Sequence, residues 1–176
     1  LNARDTLYTL LDHGVVPIIN ENDTVSTGEI RFGDNDRLSV RVAQVIGADA
    51  VILLSTTDGL YTDNPDKSPQ AEHIPLIDKL TEEHIQMAGE AVPGLSTGGM
   101  KSKIDAADSA TKMGIHLVIT DGREVHTLEE LCSRKSKRSS LFYAQHGNKI
   151  AARKMWIGAH MSPKGSVTVD DGALNA

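Results

Sequence analysis

The stretch Asp36–Leu54, DRLSVRVAQVIGADAVILL, decides the fold. Apolar residues recur at helical spacing in its first half: Leu38, Val42, Val45 and Ile46. Gly47 ends this predicted helix, and Val51–Leu54 form an apolar run typical of a buried strand. The earlier run Val15–Ile19 is also predicted to be a buried strand. Strand, helix and strand in this order form a βαβ unit, so we expect an α/β fold with a mainly parallel sheet.

Outward from this unit, the same spacing predicts further helices and strands. The predicted helices are the segment around Leu7–Leu11, Thr81–Met87, Met100–Met113 and Thr127–Cys132. The predicted strands are Ile115–Thr120 and Leu141–Ala144. Turn signals such as Asp58-Gly59 fill Ser55–Pro75, which we therefore expect to be a loop.

Composition excludes several classes of protein. The 176 residues carry a net charge of −6 and are 39% hydrophobic, a globular balance rather than that of a disordered chain. The single cysteine, Cys132, excludes a disulfide framework, and we expect it to be a buried or half-buried thiol. No apolar run approaches the roughly 20 residues of a membrane span. A cytoplasmic protein is expected, and the acidic balance argues against general nucleic-acid binding.

Composition also shifts near Asn148–Lys154. We expect an α/β domain over residues 1–150, and a linker with the start of a β-rich domain over residues 151–176. The sequence opens at Leu1 inside a helical pattern and stops at Ala176 without a natural end. It is therefore expected to be a piece of a longer chain.

Two acidic clusters are the first candidates for chemistry. Asn20–Asp23 follows a predicted strand, and Phe32–Asp36 precedes the predicted helix. Such carboxylates and amides can accept hydrogen bonds from an amino group or hold a metal, and ligands of α/β sheets sit beyond strand ends. Each cluster is equally compatible with a capped turn. Residues 24–31 between them are either a lid over a small ligand or a solvated hairpin.

A glycine-rich segment, Gly94–Lys103, leads into the predicted helix that starts at Met100. Backbone N–H groups at a helix start bind phosphate, and lysines there oppose the helix dipole unless an anion is present. The spacing is not that of a Walker motif, and a plain loop is the alternative. Ser55–Tyr61 follows a strand and fits a nucleotide contact or a turn equally well. The seven histidines show no metal-ligand spacing, so no metal site is predicted.

These motifs together resemble the glutamate 5-kinase family of the amino acid kinase superfamily. The motifs that carry the resemblance run in the family's order: Asn2–Thr6, Ile19–Asp23, Phe32–Asp36, Gly59–Thr62 and Gly94–Lys103. The resemblance implies a three-layer αβα sandwich, here partial. It also implies that the segment from about Met155 begins a PUA-like domain.

The resemblance also implies roles for individual residues. Lys103 and Asp36 would be catalytic, the lysine stabilising the transferred phosphoryl group and the acid orienting lysines. The glutamate-binding residues would be Asp23, Asn35 and Asp34. The nucleotide-binding residues would be Ser55, Thr56, Thr97, Gly98, Gly99, Met100, Lys101, Ser102 and Lys103.

The implied reaction is transfer of the ATP γ-phosphoryl group to the side-chain carboxylate of L-glutamate, the first step of proline synthesis. Mg²⁺ would accompany ATP, proline would be the feedback inhibitor, and the protein would be a homo-oligomer. The family's opening strand, with a second catalytic lysine, is not in this sequence, so the 176 residues alone are expected to be inactive. The alternatives are a non-catalytic glutamate or proline sensor and an RNA-binding module acting through the PUA-like tail.

Overall fold

A computed structural model describes residues 3–20, 35–89, 99–133 and 137–145. The helices are α1 (Ala3–Asp12), α2 (Asn35–Ile46), α3 (Glu82–Met87), α4 (Met100–Lys112) and α5 (Thr127–Cys132). The strands are β1 (Ala50–Ser55), β2 (Leu60–Tyr61), β3 (His73–Ile74), β4 (Leu76–Ile77), β5 (His116–Asp121) and β6 (Ser139–Phe142).

Four of these strands form the main sheet, in the order β1–β5–β6–β4. β1 and β5 are parallel, with Ala50 opposite His116 and Ser55 opposite Asp121. β6 runs antiparallel to β5, and β4 is parallel to β6. Strands β2 and β3 form a separate antiparallel pair. The prediction of an α/β fold with a mainly parallel sheet is confirmed.

One face of the sheet holds the core. Since strand side chains alternate, the parallel register places Val51 beside Leu117 and Leu53 beside Ile119 on the same face. Helix α2 packs on β1, α4 packs on β5, and the two helices pack on each other. The small buried residues Ala107 and Ala110 of α4 allow this close approach. Truncating a side chain such as Ile119 in this core would cost about 2–5 kcal/mol.

The opposite face of the sheet is more open. Ile52, Leu54 and Leu76 point to this face and remain exposed, whereas Thr120 in the same layer is fully buried. The Thr120 hydroxyl donates a hydrogen bond to the backbone oxygen of Arg138, just before β6. The described helices α2 and α4 therefore cover the sheet on one side.

The predicted strand Val15–Ile19 is wrong. The segment is not paired into either sheet, and Val16 and Ile18 are 83% and 96% exposed. An apolar run forms a strand only when it pairs with the exposed edge of another strand, and its own sequence does not identify that strand. Pro17 also lacks the N–H group that a ladder needs.

Other differences are smaller. Strands β2, β3 and β4 lie in or just after the region predicted to be a loop, because two-residue strands are too short to show periodicity. Strand β6, Ser139–Phe142, begins and ends two residues earlier than the predicted strand Leu141–Ala144. Cys132 is exposed, contrary to expectation, because it ends α5 on its outer side.

Several predictions lie outside the described residues. These are the domain boundary at residue 150, the β-rich segment 151–176, and the lid over residues 24–31. Residues 21–23 of the first acidic cluster and residues 32–34 of the second also lie outside the described ranges. None of the helices in the described ranges is both long and apolar enough to cross a membrane.

Candidate active site

The topology brings the first turns of α2 and α4 to one edge of the sheet. Gly47 (φ +65°) and Gly114 (φ +79°) follow the two helices and turn the chain directly into β1 and β5. A helix of 12 or 13 residues is about 20 Å long, the length of a six-residue strand. Both helix starts therefore lie near the carboxyl ends of β1 and β5, where ligands of α/β sheets bind.

A buried ion pair joins these two helix starts. Lys103 Nζ lies 3.0 Å from Asp36 Oδ2, and the two side chains are only 11% and 16% exposed. Asp36 is in the first turn of α2, where a carboxylate suits the helix dipole. Arg37 and Asp105 form a second link between the helices, at 3.5 Å and largely in solvent. The structure thus brings together the two residues predicted to be catalytic.

Helix α4 begins as an anion site would. Its N-cap is Gly99, which has no side chain to cap the first N–H groups, and its first turn contains no acid. Lys101 is exposed at this end, whereas Ser102 and Lys103 are buried. Met100 is half-buried and packs against the core. Two lysines in this position oppose the dipole, and a bound anion would offset that repulsion.

The other predicted site residues fall in two groups. Asn35 is the exposed first residue of α2, directly beside Asp36. Asp23, Asp34, Thr97 and Gly98 lie outside the described residues.

Ser55 and Thr56 lie at the carboxyl end of β1, as predicted. The Thr57 N–H group donates to Ser55 Oγ at 3.4 Å, which holds the start of the turn that follows, and Thr56 is exposed. Just after the neighbouring strand β5, the N–H group of Gly122 donates to the backbone oxygen of Ser55 at 2.9 Å. The hydroxyl groups of Ser55 and Thr56 therefore belong to the carboxyl end of β1, near which α2 and α4 begin.

In the polar cluster at this turn, Asp58 and Tyr61 belong to the predicted candidate segment Ser55–Tyr61, whereas Arg138 and His73 were missed in the sequence. Tyr61 donates its hydroxyl proton to Asp58 Oδ1 at 2.7 Å, and Arg138 Nη1 lies 3.7 Å from Asp58 Oδ2. The His73 ring contacts the Tyr61 ring edge-on, with centroids 5.2 Å apart. Arg138 and His73 are 77 and 12 residues from Tyr61 in the chain, and no local spacing signals such contacts.

The surroundings shift the pKa values in this region. Burial, together with the hydrogen bond to Asp58, raises the pKa of Tyr61. Burial lowers the pKa of His73, which favours a neutral ring. At the end of β5, hydrogen bonds from Arg123 lower the pKa of Asp121 to about 2. Asp121 therefore stays ionised and paired at neutral pH.

Within the described ranges, no group of three or more His, Cys, Asp or Glu side chains could hold a metal ion. Mg²⁺ is bound through one or two carboxylates plus substrate phosphates in many nucleotide sites. The carboxylate and lysine set at the helix starts fits an ion that arrives on phosphate groups.

Comparisons with known proteins agree with this geometry. Residues 1–121 match the model of the amino acid kinase family. Along its whole length the chain is 52% identical to a glutamate 5-kinase of Gluconobacter oxydans and 47% identical to one of Rhodopseudomonas palustris. It covers 46% of each, so it spans about half the length of these relatives.

Among solved structures, a UMP kinase of Bacillus anthracis has a similar fold, with a TM-score of 0.56 at 15% identity. The match covers 82% of this chain and 52% of that one. The chain belongs to the amino acid kinase family. The predicted fold class, a partial amino acid kinase fold, is confirmed.

Proposed function

We propose that this chain contributes the phosphoryl-transfer site of a glutamate 5-kinase, which moves the γ-phosphoryl group of ATP to the side-chain carboxylate of L-glutamate. The buried Lys103–Asp36 pair at the joined starts of α2 and α4 is the observation that carries the proposal. The two relatives named as glutamate 5-kinases, 52% and 47% identical, support the choice of substrate.

Lys103 supplies the positive charge in this mechanism. In the reaction a glutamate carboxylate oxygen bonds to the γ-phosphorus, the bond from that phosphorus to the bridging oxygen breaks, and ADP leaves. Charge spreads over the transferred oxygens, so a fixed cation stabilises the transition state. Asp36 holds the Lys103 ammonium group at 3.0 Å and so sets its direction. Mg²⁺, when bound with ATP, supplies further neutralisation of the phosphate charge.

Glutamate and nucleotide would bind on the two sides of this pair. Asn35, next to Asp36, is assigned to glutamate together with Asp23 and Asp34. The segment Thr97–Lys103, which leads into α4 in the sequence, and the turn at Ser55 and Thr56 are assigned to the nucleotide. Backbone N–H groups at the Gly99 cap suit phosphate oxygens.

Three further parts of the proposal come from the family resemblance. These are feedback inhibition by proline, assembly into a homo-oligomer, and a cytoplasmic location. We expect the 176 residues alone to be inactive, because the family uses lysines from two places.

The proposal is tested in a hybrid enzyme, in which this chain replaces the matching segment of the Gluconobacter oxydans glutamate 5-kinase. The hybrid is given L-glutamate, ATP, Mg²⁺ and hydroxylamine, and γ-glutamyl hydroxamate is measured. We expect product with glutamate, and none with aspartate, whose side chain is one methylene shorter.

The outcomes separate the alternatives. Glutamate or proline binding without product would instead support an amino-acid sensor. Binding of a short RNA in place of glutamate and ATP would support the RNA-binding module. Product formation with aspartate but not glutamate would show that the kinase assignment is right and the substrate wrong.

A further inference from the structure

Ser140 of β6 connects the two sheets through its hydroxyl group. The residue is fully buried. The Leu60 N–H group of β2 donates to Ser140 Oγ at 2.7 Å, and Ser140 Oγ donates to the Ile74 oxygen of β3 at 2.6 Å. A hydroxyl has one proton to donate, so this donor is used on β3 while a lone pair is used on β2. The small β2–β3 sheet is thereby fixed to the main sheet at one atom.

The same hydroxyl packs against the turn that follows β1. Gly59, the last residue of that turn, has φ +152°, and a Cβ there would overlap Ser140 Oγ and lie 2.5 Å from His73 Nε2. The turn backbone can approach Ser140 this closely only because residue 59 has no side chain. Leu60, which donates to Ser140, comes directly after it.

The turn fixed in this way begins at the predicted nucleotide residues. Ser55 ends β1, and Thr56 is the first residue of the turn that ends at Gly59. Strand β1 fixes Ser55 at one end of the turn, and the hydrogen bond to Ser140 fixes Leu60 at the other end. Only the four residues from Thr56 to Gly59 lie between them. Arg138, the residue just before β6, adds a contact, since its guanidinium lies 3.7 Å from Asp58 in the turn.

We propose that Ser140 is a positioning residue for the nucleotide: its hydroxyl sets the turn from Thr56 to Gly59 and thus the position of Thr56, next to Ser55. This inference rests on the proposed function, which assigns those two residues to ATP. Ser140 itself is buried beneath the turn and does not contact the substrate. Its effect is therefore expected on ATP binding and not on glutamate binding.

The test uses the hybrid enzyme and separates the two substrates. We expect Ser140→Ala to raise the KM for ATP about tenfold and to change the KM for glutamate less than twofold, because both hydrogen bonds that hold the turn are lost. The methyl group added by Gly59→Ala would overlap Ser140 Oγ and displace the turn, so this variant should also raise the KM for ATP.

Thr111→Val is the matched control. Thr111 is also buried, and its hydroxyl donates to the Ala107 oxygen at 2.8 Å, but it lies near the far end of α4. It should lower the unfolding midpoint without changing the ratio of the two KM values. Equal rises of both KM values in Ser140→Ala, or no rise in either, would overturn the positioning role.

Failure of the proposed function looks different. If the unmodified hybrid binds ATP without phosphorylating glutamate, the kinase assignment fails, and the Kd for ATP in Ser140→Ala still decides the role of Ser140. If the unmodified hybrid binds no ATP, both proposals are wrong.

Discussion

Helix α4 has a lysine paired with an aspartate near each end, and the two pairs differ in burial, because the aspartate at the start comes from α2 and the one at the end from α4 itself. At the start, Lys103 and Asp36 lie 3.0 Å apart with exposures of 11% and 16%. At the end, Lys112 and Asp108 lie 2.6 Å apart with exposures of 56% and 34%. The first pair joins residues 67 positions apart, whereas the second spans one helical turn.

The Lys112–Asp108 pair has the shorter N–O distance, yet it is expected to matter less for stability and activity. Lys112 sits in the last turn of α4, where a cation suits the helix dipole and water screens the pair. Lys103 sits near the first turn, against the dipole and out of water. An ion pair in that position costs desolvation, so stability alone does not explain it. The difference indicates that burial and position, rather than the N–O distance, distinguish Lys103, the lysine proposed to act in phosphoryl transfer.

The largest effect is expected from removing the buried lysine. Lys103→Met in the hybrid enzyme should lower the rate of γ-glutamyl hydroxamate formation about 10²–10³-fold, because a charge that stabilises the transition state is lost. Lys112→Met is the matched control and should leave the rate unchanged. Similar rates for the two variants would remove the distinction between the two ends of α4.

Removing the buried acid should affect folding strongly. Asp36→Ala should lower the free energy of unfolding by about 3 kcal/mol, since it takes one partner from a buried ion pair. Asp108→Ala should cost only about 0.3–0.5 kcal/mol. Urea denaturation of the 176-residue chain measures both. Equal costs would show that burial of the Lys103–Asp36 pair has no energetic consequence.

The Arg37–Asp105 pair separates burial from long-range connection. It joins α2 to α4 as Lys103 and Asp36 do, but its side chains are 62% and 43% exposed. Arg37→Gln should therefore cost about 0.2–1 kcal/mol, the range of exposed pairs. A loss as large as that of Asp36→Ala in the same urea experiment would mean that joining the helices, not burial, sets the energy.

The smallest effect is expected at the exposed end of the helix. Lys112→Met should lower the free energy of unfolding by about 0.3–0.5 kcal/mol at low salt, and the difference should shrink at 1 M salt, where the screening length is about 3 Å. Denaturation at the two salt concentrations checks this. A loss that does not depend on salt would point to packing of the lysine stem instead of its charge.

Much of the fold could be predicted because its signals are local. The apolar spacing in Asn35–Ile46 and the run in Ala50–Ser55 each report on their own segment, and both elements formed as expected. The start of α4 was also visible, because glycines and lysines before an apolar pattern mark a helix start. The run Val15–Ile19 failed for the opposite reason, since strand formation depends on a partner elsewhere in the chain.

The candidate site could be predicted in part. Motifs placed Lys103 and Asp36 among the site residues, but they did not show that the two side chains touch. Ser140 carries no local signal, because its role arises from Leu60 and Ile74, which are 80 and 66 positions away. Arg138 and His73 were missed for the same reason.

The sequence by itself determined which segments become helices, that the apolar run Val51–Leu54 forms a strand, and which residue types are available for phosphate and carboxylate chemistry. Those properties follow from spacing and from the backbone preferences of single residues. Only the tertiary structure decided that α2 and α4 start side by side, that Lys103 meets Asp36 away from water, and that Ser140 ties β6 to the turn after β1. Contacts of this kind depend on how the sheet pairs and on which face the helices cover, because residues distant in the chain become neighbours only through packing.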